Sequence, residues 1–127
     1  MPSTVSWNNN NVIVTYTGVM TMECVQNAIG QILGNPNFSS QLYQINDFSQ
    51  VEGTTLTATE VRMIGAMDKN ANRWNDKLFC AYVINDTISE LMDVYTDVMK
   101  NTEWVIAIFY SLQEGKNWIA SQGFEVE

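Results

Sequence analysis

The chain has 127 residues, 46% of them hydrophobic, with four Trp, five Tyr and five Phe and only 16% charged side chains, a composition that supplies a core and excludes disorder. That length predicts one domain over residues 1–127 with a two-layer core. Six basic against fourteen acidic residues give a formal charge of −8, which opposes binding to nucleic acid and to anionic lipid surfaces.

No apolar run is long enough to span a bilayer, and residues 1–11 have neither the basic flank nor the apolar stretch of a signal peptide. The expectation is a cytoplasmic protein without a membrane span. Cys24 and Cys80 are far apart, sit in apolar company and form no Cys-x-x-Cys spacing. They are expected to be reduced core residues.

The first element is a hairpin. Thr4 to Trp7 alternates, Asn8 to Asn11 is a polar run that tolerates positive φ, and Val12 to Tyr16 resumes the β pattern. Thr21 then opens a helix in which Cys24, Val25, Ala28, Ile29, Ile32 and Leu33 recur at three and four residue steps, ending at Gly34-Asn35-Pro36. A strand follows within Gln41 to Phe48, and Ser49 to Thr57 reads as a polar loop with Gly53.

Three Ser/Thr-x-x-Glu boxes mark later helix starts: Thr57 to Glu60, Thr87 to Glu90 and Ser111 to Glu114. In such a box the hydroxyl caps the amide three residues on and the Glu reaches back to the cap amide. The helix after Thr57 carries Val61, Ile64, Met67, Ala71 and Trp74 along one stripe, and Met63 widens the apolar arc beyond what a sheet contact needs. Leu78 to Ile84 is almost uninterrupted by polar residues, the mark of a strand buried on both faces, and is expected inside the sheet. The helix beyond Thr87 turns Ile88, Leu91, Met92, Tyr95, Val98 and Met99 inward and Asp93, Asp97 and Lys100 outward. A last strand, Trp104 to Phe109, precedes a short helix with Leu112, Trp118 and Ile119. Strands are thus expected near residues 3–7, 12–17, 42–47, 78–84 and 104–109, in the order β-β-α-β-α-β-α-β-α. This is an α/β fold with one mixed five-stranded sheet, an N-terminal hairpin and four helices.

The chemistry is defined more by exclusion. With no His, imidazole-based triads and zinc sites are unavailable, and no tightly bound transition metal is expected. Gly30, Gly34, Gly53 and Gly65 stand alone, so no glycine-rich phosphate loop is present and no cofactor is implied. A phosphoacceptor receiver is excluded because the late strand ends Phe109-Tyr110-Ser111 without the Lys that such a fold needs. Asp47 and Asp86 each fall near a predicted strand C-terminus, where open α/β sheets place ligands; they could hold Mg²⁺ or a polar group, or simply cap loops and helix starts. Met63, Met67 and Trp74 share a helix flank beyond the stripe that covers the sheet. They are the candidate self-association surface of a homodimer.

The succession Gly18-Val19-Met20-Thr21, Asn35-Pro36-Asn37-Phe38, Ile45-Asn46-Asp47-Phe48 and Phe109 to Ile119 resembles the small bacterial SpoIIAA-like proteins of the STAS group, named for sulfate transporters and anti-sigma-factor antagonists. The resemblance implies a mixed sheet with helices on one side and a non-enzymatic regulatory or protein-interaction module. Its alternative is a carrier or sensor of an apolar small molecule or lipid, as in the related Sec14 fold. Antagonists of the group carry an Asp-Ser-Ser-Gly-like phosphorylation motif before the second helix, where this chain has Glu52 to Thr57. Ser49, Thr54 and Thr55 remain as hydroxyls that could accept phosphate, and with Asp47 and Asp86 they form the expected ligand or partner surface. Glu90 and Asp93 stand where relatives favour a Gly and an Arg, which weakens any anion site there, and Gly115 stands where Ala is usual.

Overall fold

Asn9 makes the first turn. Its φ of 56° lies in the left-handed region that Asn tolerates, and it folds β1 (Ser3–Asn8) antiparallel onto β2 (Asn11–Met20). The computed structural model describes residues 3–126. β3 (Tyr43–Thr54), β4 (Phe79–Val83) and β5 (Val105–Phe109) add in parallel to give one sheet in the order β1-β2-β3-β4-β5. β4 is internal, as its unbroken apolar run requires.

Ser49 to Thr54 are not loop but the second half of β3, a correction to the expectation from polarity. These residues pair with an equally extended β2 across two register shifts, opposite Thr15/Thr17 and Gly18/Val19. Buried Val51 anchors the extension. Such bulges let a polar segment stay in a ladder while bending it, and Gly18, at a φ of 65°, bends β2 beside it.

The helix starts obey their boxes unevenly. Ahead of α2 (Ala58–Ala71) the box at Thr57 is complete: the Glu60 amide donates to Thr57 Oγ1 at 3.1 Å and the Thr57 amide to Glu60 Oε1 at 3.0 Å. Before α1 (Met22–Leu33) Thr21 makes an unforeseen version, in which Cys24 Sγ accepts from the Thr21 amide at 3.3 Å. The box at Thr87 does not form. α3 (Ser89–Met99) begins one residue late because the Thr87 amide donates instead to Asn85 Oδ1 at 3.0 Å, while Ile88 is buried in the core. At α4 (Leu112–Ser121) the hydroxyl half is present, with the Glu114 amide on Ser111 Oγ at 3.1 Å.

α1, α2 and α3 cover one face of the sheet and α4 the other, so helices on a single side, as the resemblance implied, is corrected. The physical reason is in the strands. Tyr43, Ile45, Ala81 and Val83 are apolar on the second face and must also be hidden from water. Gly115 lets α4 lie close: a Cβ there would sit 3.2 Å from Val83 Cγ2. On the first face α2 packs mainly against α3, through Gly65, where a Cβ would meet Val98 Cγ1 at 2.7 Å. α1 touches α2 little. A gap is therefore left between α1 and the α2–α3 pair, above the middle of the sheet.

Candidate functional site

The floor of this gap is a row of aromatic rings from three neighbouring strands. Tyr16 of β2 stacks on Phe48 of β3 with centroids 4.7 Å apart, Phe48 lies 6.4 Å from Tyr82 of β4, and Tyr95 of α3 meets Tyr82 edge-on at 5.2 Å. Above it lies a chamber of about 80 Å³, whose walls are mostly apolar side chains such as Ile29, Leu56, Ile64 and Met92.

Polar groups enter this apolar space from two sides. On β3 the inward positions before Phe48 are Gln44 and Asn46, where a packed core would have aliphatic residues. Gln44 is satisfied, its Nε2 donating to Gln41 Oε1 at 2.7 Å. Asn46, 7% exposed, is not: its Nδ2 is buried with no hydrogen-bond partner among the described residues. Such a donor costs about 1–3 kcal/mol if left unpaired.

From α2 comes Asp68, four residues after Ile64 and seven after Val61, on the buried stripe of the helix. Its Oδ2 accepts from the Tyr95 hydroxyl at 2.7 Å, and the Tyr95 oxygen lies 2.7 Å from that of Tyr82. Since the Tyr95 proton is committed to the carboxylate, Tyr82 is the donor of that second bond. No cation balances Asp68 among the described residues: the ion pair they contain is Lys100 with Asp97, on the surface. Burial therefore raises the Asp68 carboxyl from 3.8 to about 6, against the bond from Tyr95, which lowers it. Burial, and then the neighbouring acid, also pushes the Cys80 thiol well up; burial dominates likewise for the Tyr82 and Tyr95 hydroxyls. A thiol held neutral in this way is a poor nucleophile.

The chamber adjoins a wider groove. Leu33, at the end of α1, is a wall of both, and from it a second concavity of about 330 Å³ runs past Phe38 and Met67 to Trp74. Met67 and Trp74, singled out in the sequence as surplus apolar surface, thus line the groove. Met63, on the same helix, is 52% exposed, and Trp74 is 71% exposed.

The acids and hydroxyls expected from the sequence do not converge on the chamber. Asp47 lies in mid-strand rather than at a strand end, because β3 continues to Thr54. It is buried, and its Oδ1 accepts from the Ser49 amide at 2.9 Å and the Ser49 hydroxyl at 2.6 Å, holding the bulge. The Thr54 hydroxyl donates to the Met20 carbonyl at 2.9 Å and accepts from the Leu56 amide at 3.0 Å, tying the end of β3 to β2. Thr55 is exposed. Asp86 is exposed in the turn after β4, beside Asn85, whose Nδ2 reaches the Val51 carbonyl at 2.8 Å. Among the described residues no group of three or more Cys, Asp or Glu side chains is placed to hold a metal ion. Cys24 and Cys80 are both buried and free. No helix among the described residues is long and apolar enough to cross a membrane.

The order of elements and the mixed sheet define a SpoIIAA/STAS-like α/β fold. An uncharacterised protein of the DUF3478 family with a SpoIIAA-like fold, from Shewanella loihica PV-4, is similar over 91% of this chain and 90% of its own, at 14% identity and a TM-score of 0.52. SLC26A9 matches 89% of this chain, at 12% identity and a TM-score of 0.57, with 20% of its own length. No protein-family model and no curated protein matches the sequence.

Proposed function

We propose that this chain is a non-enzymatic regulatory or interaction module of the SpoIIAA/STAS type that works by holding a small, mainly apolar molecule between its sheet and its first three helices. The observation that carries this reading is the Asn46 amide, buried without a partner on the wall of an apolar chamber. A fold that merely needed a core would fill this position with an aliphatic side chain and close the gap. The Tyr82 and Tyr95 phenols of the chamber and the nearby Cys80 thiol are held neutral and supply no activated nucleophile to act with the Asp68 carboxylate, which favours binding over catalysis.

The test is native mass spectrometry of the protein purified from its own cell, before and after solvent extraction. The reading expects a stoichiometric excess mass that extraction removes. An unliganded mass from native material, together with no binding of apolar probes by the extracted protein, would exclude it. A second reading, a surface that docks a protein or a second copy of the chain, is favoured by exposed Met63 and Trp74.

A further inference from the structure

We infer that chamber and groove form one continuous site for a single-chain amphiphile with an uncharged head that both donates and accepts hydrogen bonds, such as a hydroxyl, the head lying among Asn46 and Asp68 and the chain running over Leu33 to Met67 and Trp74. This inference rests on the ligand-holding reading above and adds the ligand's chemistry.

The two polar groups set complementary demands. Asn46 Nδ2 is a buried donor that lacks an acceptor. Among the described residues Asp68 is an acceptor with one hydrogen-bond partner, the Tyr95 hydroxyl, and no cation. Facing Asp68 are Tyr16 from β2, Cys80 and Tyr82 from β4 and Tyr95 from α3, none of which can neutralise it. An ammonium head would satisfy Asp68 and leave Asn46 as it is. A carboxylate would satisfy Asn46 and meet the charge of Asp68. A hydroxyl serves both, and its lack of charge avoids the desolvation that either ion would suffer here.

Size assigns the tail. About 80 Å³ is room for more than one water, yet about half of the ~150 Å³ apolar cavity that admits benzene. A chain of several methylenes does not fit in the chamber alone. The groove of about 330 Å³ that shares Leu33 brings the whole into the range of small-ligand sites, ~300 Å³ and above. It also gives exposed Trp74 an apolar partner, and Met67, which packs on the edge of the core, can adapt its shape to a flexible chain.

The test titrates the isotope-labelled full chain with octanol, octane, octylamine and octanoate at a pH of about 7.5, above the Asp68 titration, following the side-chain amide resonance of Asn46. Octanol is expected to bind tightest and to move that resonance. Asn46→Leu, which removes an unpaired donor and so keeps the fold, should weaken octanol about tenfold and leave octane unchanged. Met67→Glu should weaken octanol and octane alike. Octanol no tighter than octane, octylamine or octanoate, or indifferent to Asn46→Leu, would overturn the head assignment while leaving the ligand-holding reading intact. An unchanged affinity in Met67→Glu would overturn the continuity with the groove. Binding of none of the four would remove both readings.

Discussion

Replacing Asp68 by Asn keeps the shape of the side chain and the acceptor for the Tyr95 hydroxyl but removes a charge that has no counter-ion among the described residues. The folded carboxyl titrates at about 6 against an ordinary 3.8, so the folded chain keeps its proton to a higher pH than the unfolded one. Stability from this group is therefore full below about pH 4, falls as pH rises towards 6, and stays reduced above it. At ~1.4 kcal/mol per tenfold, the rise corresponds to about 3 kcal/mol as an upper bound. Asp68 as a residue is only partly buried, and solvent screening brings the expected gain in Asp68→Asn to about 1.5 kcal/mol at pH 7. Urea denaturation of both proteins across the acid to neutral range measures it. The curves should coincide near pH 3.5 and diverge towards neutrality. Parallel curves, or a variant less stable at pH 7, would show that the carboxylate is solvated or paired and would refute the description of an uncompensated acid facing the chamber.

Gly65→Ala should destabilise by about 1–2 kcal/mol despite its better helix propensity, since the added methyl lands on Val98 Cγ1; a second change, Val98→Ala, should relieve part of the loss in thermal melts. Thr57→Ala should cost about 1 kcal/mol and Thr87→Ala almost nothing, because only the first hydroxyl caps a helix; equal effects in denaturation would contradict the helix starts described. Met63→Glu tests the proposed homodimer without touching the groove. If the wild-type chain sediments as a dimer, the variant is expected at monomer mass, and an unchanged mass removes this interface.

Much of the architecture was legible because it rests on periodicity and local chemistry. The unbroken Leu78 to Ile84 run placed an internal strand, and the spacing after Thr21 and Thr57 placed two helices at their caps. Errors arose where a long-range partner overrode a local signal. Ser49 to Thr54 are polar, and only their pairing with the extended β2 makes them strand. Thr87 has its box, but Asn85 captures its amide first. The site was missed for a related reason. Asp47 and Asp86 stood out as acids near expected strand ends, whereas the informative signal was polarity on faces predicted to be apolar. Asp68 lies on the stripe of Val61 and Ile64, and Gln44 and Asn46 alternate with Tyr43 and Ile45 in a strand buried on both sides.

Those misplaced polar residues have an energetic meaning that single contacts do not convey. An unpaired Asn46 donor costs about 1–3 kcal/mol and an uncompensated Asp68 a similar amount, a sizeable part of the ~5–15 kcal/mol by which a domain of this kind is stable. Asn46 could be replaced by an aliphatic residue and Asp68 by Asn with a gain in stability: Asn46 holds no element in place as Asn75 does, whose Nδ2 donates to the carbonyls of Phe38 and Gln41 at 2.8 and 2.7 Å, and Asp68 ties α2 to α3 through an acceptor that Asn would keep. Two such costs, brought by different elements to the same chamber, would be offset together by the proposed ligand, which supplies an acceptor to Asn46 and a donor to Asp68. Ligand binding should then stabilise the fold by more than its apolar contact alone would give, and the surfaces around α1, which packs only lightly on α2 across the chamber, would be the first to register it.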